Sequence, residues 1–99
     1  MSAIEQTIMK ICIWNPAVTT EELVTTLVRS NVTMLSEKRG VDDMIVGVDM
    51  AIMEISDGFL ECDYDTEEDN YARTGKVIST LEGVRRYFEL VLDYMEPQK

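Results

Sequence analysis

Gly58-Phe59-Leu60-Glu61-Cys62-Asp63-Tyr64, then the run from Asp65 to Gly75, then Lys76-Val77-Ile78-Ser79: the fold turns on how these residues are read. After Gly58 the apolar period shortens from the helical to the extended kind. Phe59 to Tyr64 predicts a strand, Asp65 to Gly75 a polar loop, and Lys76 to Ser79 a returning strand. Ser79 with Glu82 has the spacing of a capping box, in which a hydroxyl and a carboxylate satisfy the exposed N–H groups of a helix start. That predicts a final helix over about 80–95, with Pro97 closing the chain.

Upstream of the hairpin the pattern is helical. Ile4, Ile8, Ile11 and Cys12 predict a first helix over 3–13, stopped at Asn15-Pro16 because the residue before proline avoids the α region. Thr19 and Glu22 form another capping-box pair, and Leu23, Val24, Leu27 and Val28 mark a second helix over 20–30. Residues 31–40 are ambiguous: Met34 and Leu35 suit a short helical turn, and Gly40 marks a break. A third helix over 41–57 carries Met44, Ile45, Val48, Ala51, Ile52 and Ile55, and Gly58 is placed to cap it.

Two segments of this order carry a family likeness. Ala51-Ile52-Met53-Glu54-Ile55-Ser56-Asp57-Gly58-Phe59-Leu60-Glu61 resembles the end of the recognition helix and first wing strand of MarR- and PadR-like winged-helix proteins. Ile78-Ser79-Thr80-Leu81-Glu82-Gly83 is similar to their second wing strand and the helix entry after it. The resemblance implies an α+β fold: one winged-helix-like domain over 1–99, with three helices, a β-hairpin wing and a C-terminal helix. It departs from the family pattern at Ser79, where a leucine is usual, and in the long piece 31–40 between helices.

Charge sets the functional expectation. The chain has 99 residues, 19 acidic and 9 basic, and a net charge of −10. From Gly40 to Ala72 it has no Lys or Arg, although the resemblance makes this the half that would enter a DNA groove. Affinity for DNA comes chiefly from cations that neutralise phosphates, and specificity from basic and amide side chains at base edges. The expected function is therefore a non-enzymatic acidic module that binds a basic protein surface. Its sharper form is a nucleic-acid mimic, of the kind encoded by phages as inhibitors, that occupies the cleft of a nucleic-acid-binding protein. The carboxylates expected to carry it are Asp42, Asp43, Asp49, Glu54, Asp63, Asp65, Glu67, Glu68 and Asp69. The rival reading is a small dimeric winged-helix transcriptional regulator that grips duplex DNA through Lys38, Arg39, Arg73 and Lys76.

The last helix has a second apolar stripe, Tyr87, Leu90 and Tyr94, offset from the core stripe Leu81, Val84, Phe88, Val91, Leu92 and Met95. A helix apolar on two faces packs on both, so the offset stripe predicts a homodimer contact. Tyr64 and Tyr71 flank the acidic loop, either to meet a partner or to cover the hairpin. Other chemistry finds no support. The chain has no His and no Gly-rich phosphate loop. Asp63 to Asp69 lack the glycine and glutamate spacing of an EF-hand, so no metal or cofactor is expected. Cys12 and Cys62 read as buried free thiols of a cytoplasmic protein, with neither a signal peptide nor a membrane span.

Overall fold

The computed structural model describes residues 2–95 and is helical throughout, with no strand among them. The five helices are α1 (Ala3–Trp14), α2 (Thr20–Ser30), α3 (Val32–Leu35), α4 (Lys38–Ser56) and α5 (Glu67–Met95). The α+β, winged-helix and helix-turn-helix reading, and the MarR/PadR resemblance behind it, are overturned: there is no β-hairpin wing.

The correction has a local cause. Gly58, at φ 102°, ends α4 in a Schellman motif: its N–H donates to the Ile55 carbonyl and the Phe59 N–H to that of Glu54. The chain then makes tight turns, with Glu61 N–H donating to Gly58 and Asp65 N–H to Cys62. The polar groups a strand would present to a neighbour go instead to side chains of α5. Asn70 Oδ1 accepts from the Cys62 N–H at 2.9 Å, and Asn70 Nδ2 donates to the Cys62 carbonyl at 3.1 Å. Arg73 donates to the Leu60 carbonyl at 3.2 Å. An amide side chain thus supplies the donor and acceptor that a paired strand would have offered.

The expected loop is the start of α5. Thr66 Oγ1 accepts from the Asp69 N–H at 3.1 Å, and Glu67, Glu68 and Asp69 sit at the positive end of the helix dipole. The expected second strand lies inside the same helix. Val77 opens a stripe continued by Leu81, Val84 and Phe88, all fully buried or nearly so. Ser79 and Glu82, expected as a cap, are interior residues of α5.

Elsewhere the patterning holds. The α1 and α2 bounds match expectation to a residue, and Thr19 with Glu22 completes a capping box in both directions. Met34 and Leu35 do lie in a short helical turn, α3. Gly40 is not a break but a helical residue of α4: a Cβ there would come within 1.7 Å of the Met34 carbonyl oxygen, so α3 can lie on α4 only if this side chain is absent. Gly47 and Gly83 allow close crossings too, a Cβ at each coming within 2.5 Å of the Ile4 side chain of α1 and 2.9 Å of the Thr20 side chain of α2. Thr20 also donates to the Thr80 carbonyl at 3.1 Å, tying the start of α2 to α5.

α4 is the central element: it packs against α1, α3 and most extensively α5, while α2 lies on α5. Ile8, Cys12, Leu23, Leu27, Met44, Val48, Ile55, Val77, Leu81, Val84 and Phe88 fill the core between them. One polar group is enclosed with them. Glu5 is 1% exposed, and its Oε1 has no hydrogen-bond partner among the described residues. Cys12 is buried and Cys62 half-buried, and both are free thiols. No helix among the described residues is long and apolar enough to cross a membrane.

Candidate interaction surfaces

The nine expected carboxylates fall into two groups. Two are spent on structure. Asp49 of α4 pairs with Arg85 of α5 at 2.8 Å, and Asp65 pairs with Arg73. Each bond pushes its arginine further above the usual range, chiefly through the hydrogen bond to the carboxylate. The other seven, Asp42, Asp43, Glu54, Asp63, Glu67, Glu68 and Asp69, form no ion pair among the described residues.

These seven follow one another from α4 through the connector into the first turn of α5. Asp42, Asp43 and Glu54 lie on α4 over a rise of roughly 18 Å, the first two exposed and Glu54 half-buried. Beyond Gly58, Asp63 lies in the connector and Glu67, Glu68 and Asp69 in the first turn of α5. There the surface is concave: Glu61, Glu67, Glu68, Asn70 and Tyr71 line an open groove of about 460 Å³. Tyr64 and Tyr71 are 97% and 84% exposed, so neither covers a neighbouring element. Val46 and Met53, also exposed, lie among the α4 carboxylates. Glu61, Val46 and Met53 are not among the residues expected from the sequence. The last two were legible, because they stand outside the core spacing of α4.

The cations of the rival reading are dispersed. Lys38 and Arg39 open α4, while Arg73 and Lys76 lie in the early turns of α5, beside the far end of α4. Counted through the Asp49–Arg85 bond, the two pairs stand roughly 30 Å apart along the bundle. Arg73 is further committed to Asp65, Asn70 and the Leu60 carbonyl. Among the described residues there is no wing to bring the two pairs together.

The offset stripe of α5 is brought together as one surface. Tyr87, Leu90, Val91, Tyr94 and Met95 line an open, almost wholly apolar groove of about 340 Å³. Tyr87 is held in place by an edge-on contact with the core ring Phe88, at 5.1 Å between centroids. Another apolar groove, on α1 and the connector, is lined by Ala3, Met9, Ile13 and Phe59 with Gln6, Thr7 and Lys10. Among the described residues no group of three or more His, Cys, Asp or Glu is placed to hold a metal ion.

No protein-family model matches the chain, no curated protein is similar to it, and no solved structure matches it. The winged-helix and phage-inhibitor expectations thus have no relative behind them.

Proposed function

We propose that the chain is a non-enzymatic acidic interaction module that binds a basic protein surface through the band of carboxylates from α4 to the first turn of α5. The observation that carries this reading is the groove beside Tyr71. Three carboxylates, Glu61, Glu67 and Glu68, stand around an exposed aromatic ring, and none has a cation paired to it among the described residues. A guanidinium or ammonium entering there meets carboxylates for charge-assisted hydrogen bonds and a ring face for a cation–π contact. Further along the band, Asp42, Asp43 and Glu54 extend the negative field over a length suited to a basic cleft. Val46 and Met53 supply the apolar contact that charge alone lacks.

In its sharper form the reading is a nucleic-acid mimic, whose carboxylates stand where a nucleic-acid-binding protein expects phosphates. A net charge of −10 on a small chain raises the rate of encounter with such a protein and makes that rate sensitive to salt. The test is a paired capture from the native cell extract. One bait is the wild-type chain; the other carries Glu61→Gln, Glu67→Gln, Glu68→Gln and Asp63→Asn, with helicity checked by circular dichroism. The expected result is a basic nucleic-acid-binding protein held by the first bait and lost from the second. A partner held equally by both would remove the acidic band from the account.

A further inference from the structure

We propose that the Tyr87–Leu90–Tyr94 groove is occupied by the same groove of a second copy of this chain, with the two α5 helices antiparallel about a two-fold axis at Leu90. This rests on a surface separate from the acidic groove, which lies some 19 residues earlier in α5, roughly 30 Å along the helix.

The register follows from the residues. A two-fold contact is self-complementary: residue i meets j, and j meets i. With Leu90 on Leu90 of the partner subunit, Tyr87 meets Tyr94 of the partner subunit, and the reciprocal pair forms on the other side. The four tyrosines then stack around the leucine pair, a geometry that aromatic rings favour. Tyr94 is 92% exposed in the single chain, which is where such a contact gains most.

Charge selects the direction. By helical rotation Arg86 and Asp93 lie on the same flank of this stripe, beside Leu90, and neither forms an ion pair among the described residues. Glu82 and Glu89 lie farther round the helix from the stripe, near Arg85, and Glu89 is half-buried. In an antiparallel pair like flanks face one another, so Arg86 meets Asp93 of the partner subunit and Asp93 meets Arg86 of the partner subunit. A parallel pair turns that flank toward Val91 of the partner subunit and leaves both charges unpaired. The groove is short against the ~800 Å² per partner of a standard interface, so the dimer is of moderate affinity.

Sedimentation equilibrium, at concentrations rising into the hundreds of micromolar, tests both the contact and its direction. Leu90→Glu sets two carboxylates against each other on the axis and is expected to weaken association by about a hundredfold. Arg86→Asp and Asp93→Arg each place like charges opposite one another and are expected to weaken self-association by roughly tenfold. Mixed together, these two variants restore both attractive pairs, so a heterodimer at near wild-type affinity is expected. Leu90 is half exposed and Arg86 and Asp93 are exposed, so helicity is expected to be unchanged in all three, as circular dichroism would verify. A wild-type monomer across the whole range overturns the proposal. A dimer indifferent to Leu90→Glu overturns the surface, and one indifferent to the charge reversals overturns the antiparallel register.

Discussion

Glu5 places a carboxyl group where the core of this bundle would accept hydrocarbon. The Ser2 hydroxyl accepts from the Glu5 N–H at 3.0 Å, half of a capping box, but the Glu5 side chain is buried with Oε1 unpartnered. Leaving such an atom unpaired costs about 1–3 kcal/mol. Glu5→Leu is therefore expected to stabilise the fold by about that amount, read as a higher urea midpoint with the same dependence on denaturant. A lower midpoint would mean that the carboxyl has a stabilising role the geometry does not reveal. Cys12 makes a second case. Burial raises its thiol from the usual 9.0 to about 11. Below about pH 9 both folded and unfolded chains keep this proton, and the full contribution to stability is present. Between there and about pH 11 the unfolded chain ionises first, so stability falls, by on the order of 2 kcal/mol. Denaturation across that range should show a shallower loss for Cys12→Ala than for wild type. Equal slopes would show that the thiol is not enclosed as described.

At the scale of elements, the molecule depends on α5 being one helix from Glu67 to Met95. Gly75 lies within it with nothing near the position of a Cβ, so Gly75→Ala should stabilise by about 1 kcal/mol. In a loop the same change would be close to neutral. The Asn70 clasp on Cys62 holds the connector against the helix. Asn70→Ala removes both hydrogen bonds to Cys62 and the one accepted from Arg73, and is expected to cost about 1–3 kcal/mol and to speed alkylation of the half-buried Cys62 thiol. An unchanged rate would separate the clasp from the connector's order. These residues also explain what could be read in advance. α1, α2 and most of α4 were legible because their apolar spacing is long and their boundaries carry caps or a proline. Val77-Ile78 was too short a run to tell a buried strand from a helical stripe, and the Gly58 cap, correctly placed, fits a helix end before either kind of element. The start of α5 was legible and was passed over. Thr66-Glu67-Glu68-Asp69 repeats the logic of Thr19-Thr20-Glu21-Glu22, a hydroxyl followed by acids in the first turn. The side-chain clasps that replace a strand partner have no sequence signature, because Asn70 and Arg73 reach back eight and thirteen residues.

For the whole molecule, the acidic stretch keeps its weight while its setting changes. The carboxylates between Gly40 and Ala72 lie on two helices and a connector, and only folding shows that Asp49 and Asp65 are held by arginines while their neighbours are not. Composition located the charge; the bundle decides which of it a partner can reach. Competition between this chain and duplex DNA for whatever basic protein the wild-type bait holds tests the proposed function most directly. If the acidic band stands in for phosphate, adding duplex DNA should release the chain in proportion to its concentration, and raising salt should weaken the complex steeply. A complex that holds the chain and DNA together, with an affinity indifferent to salt, would contradict it.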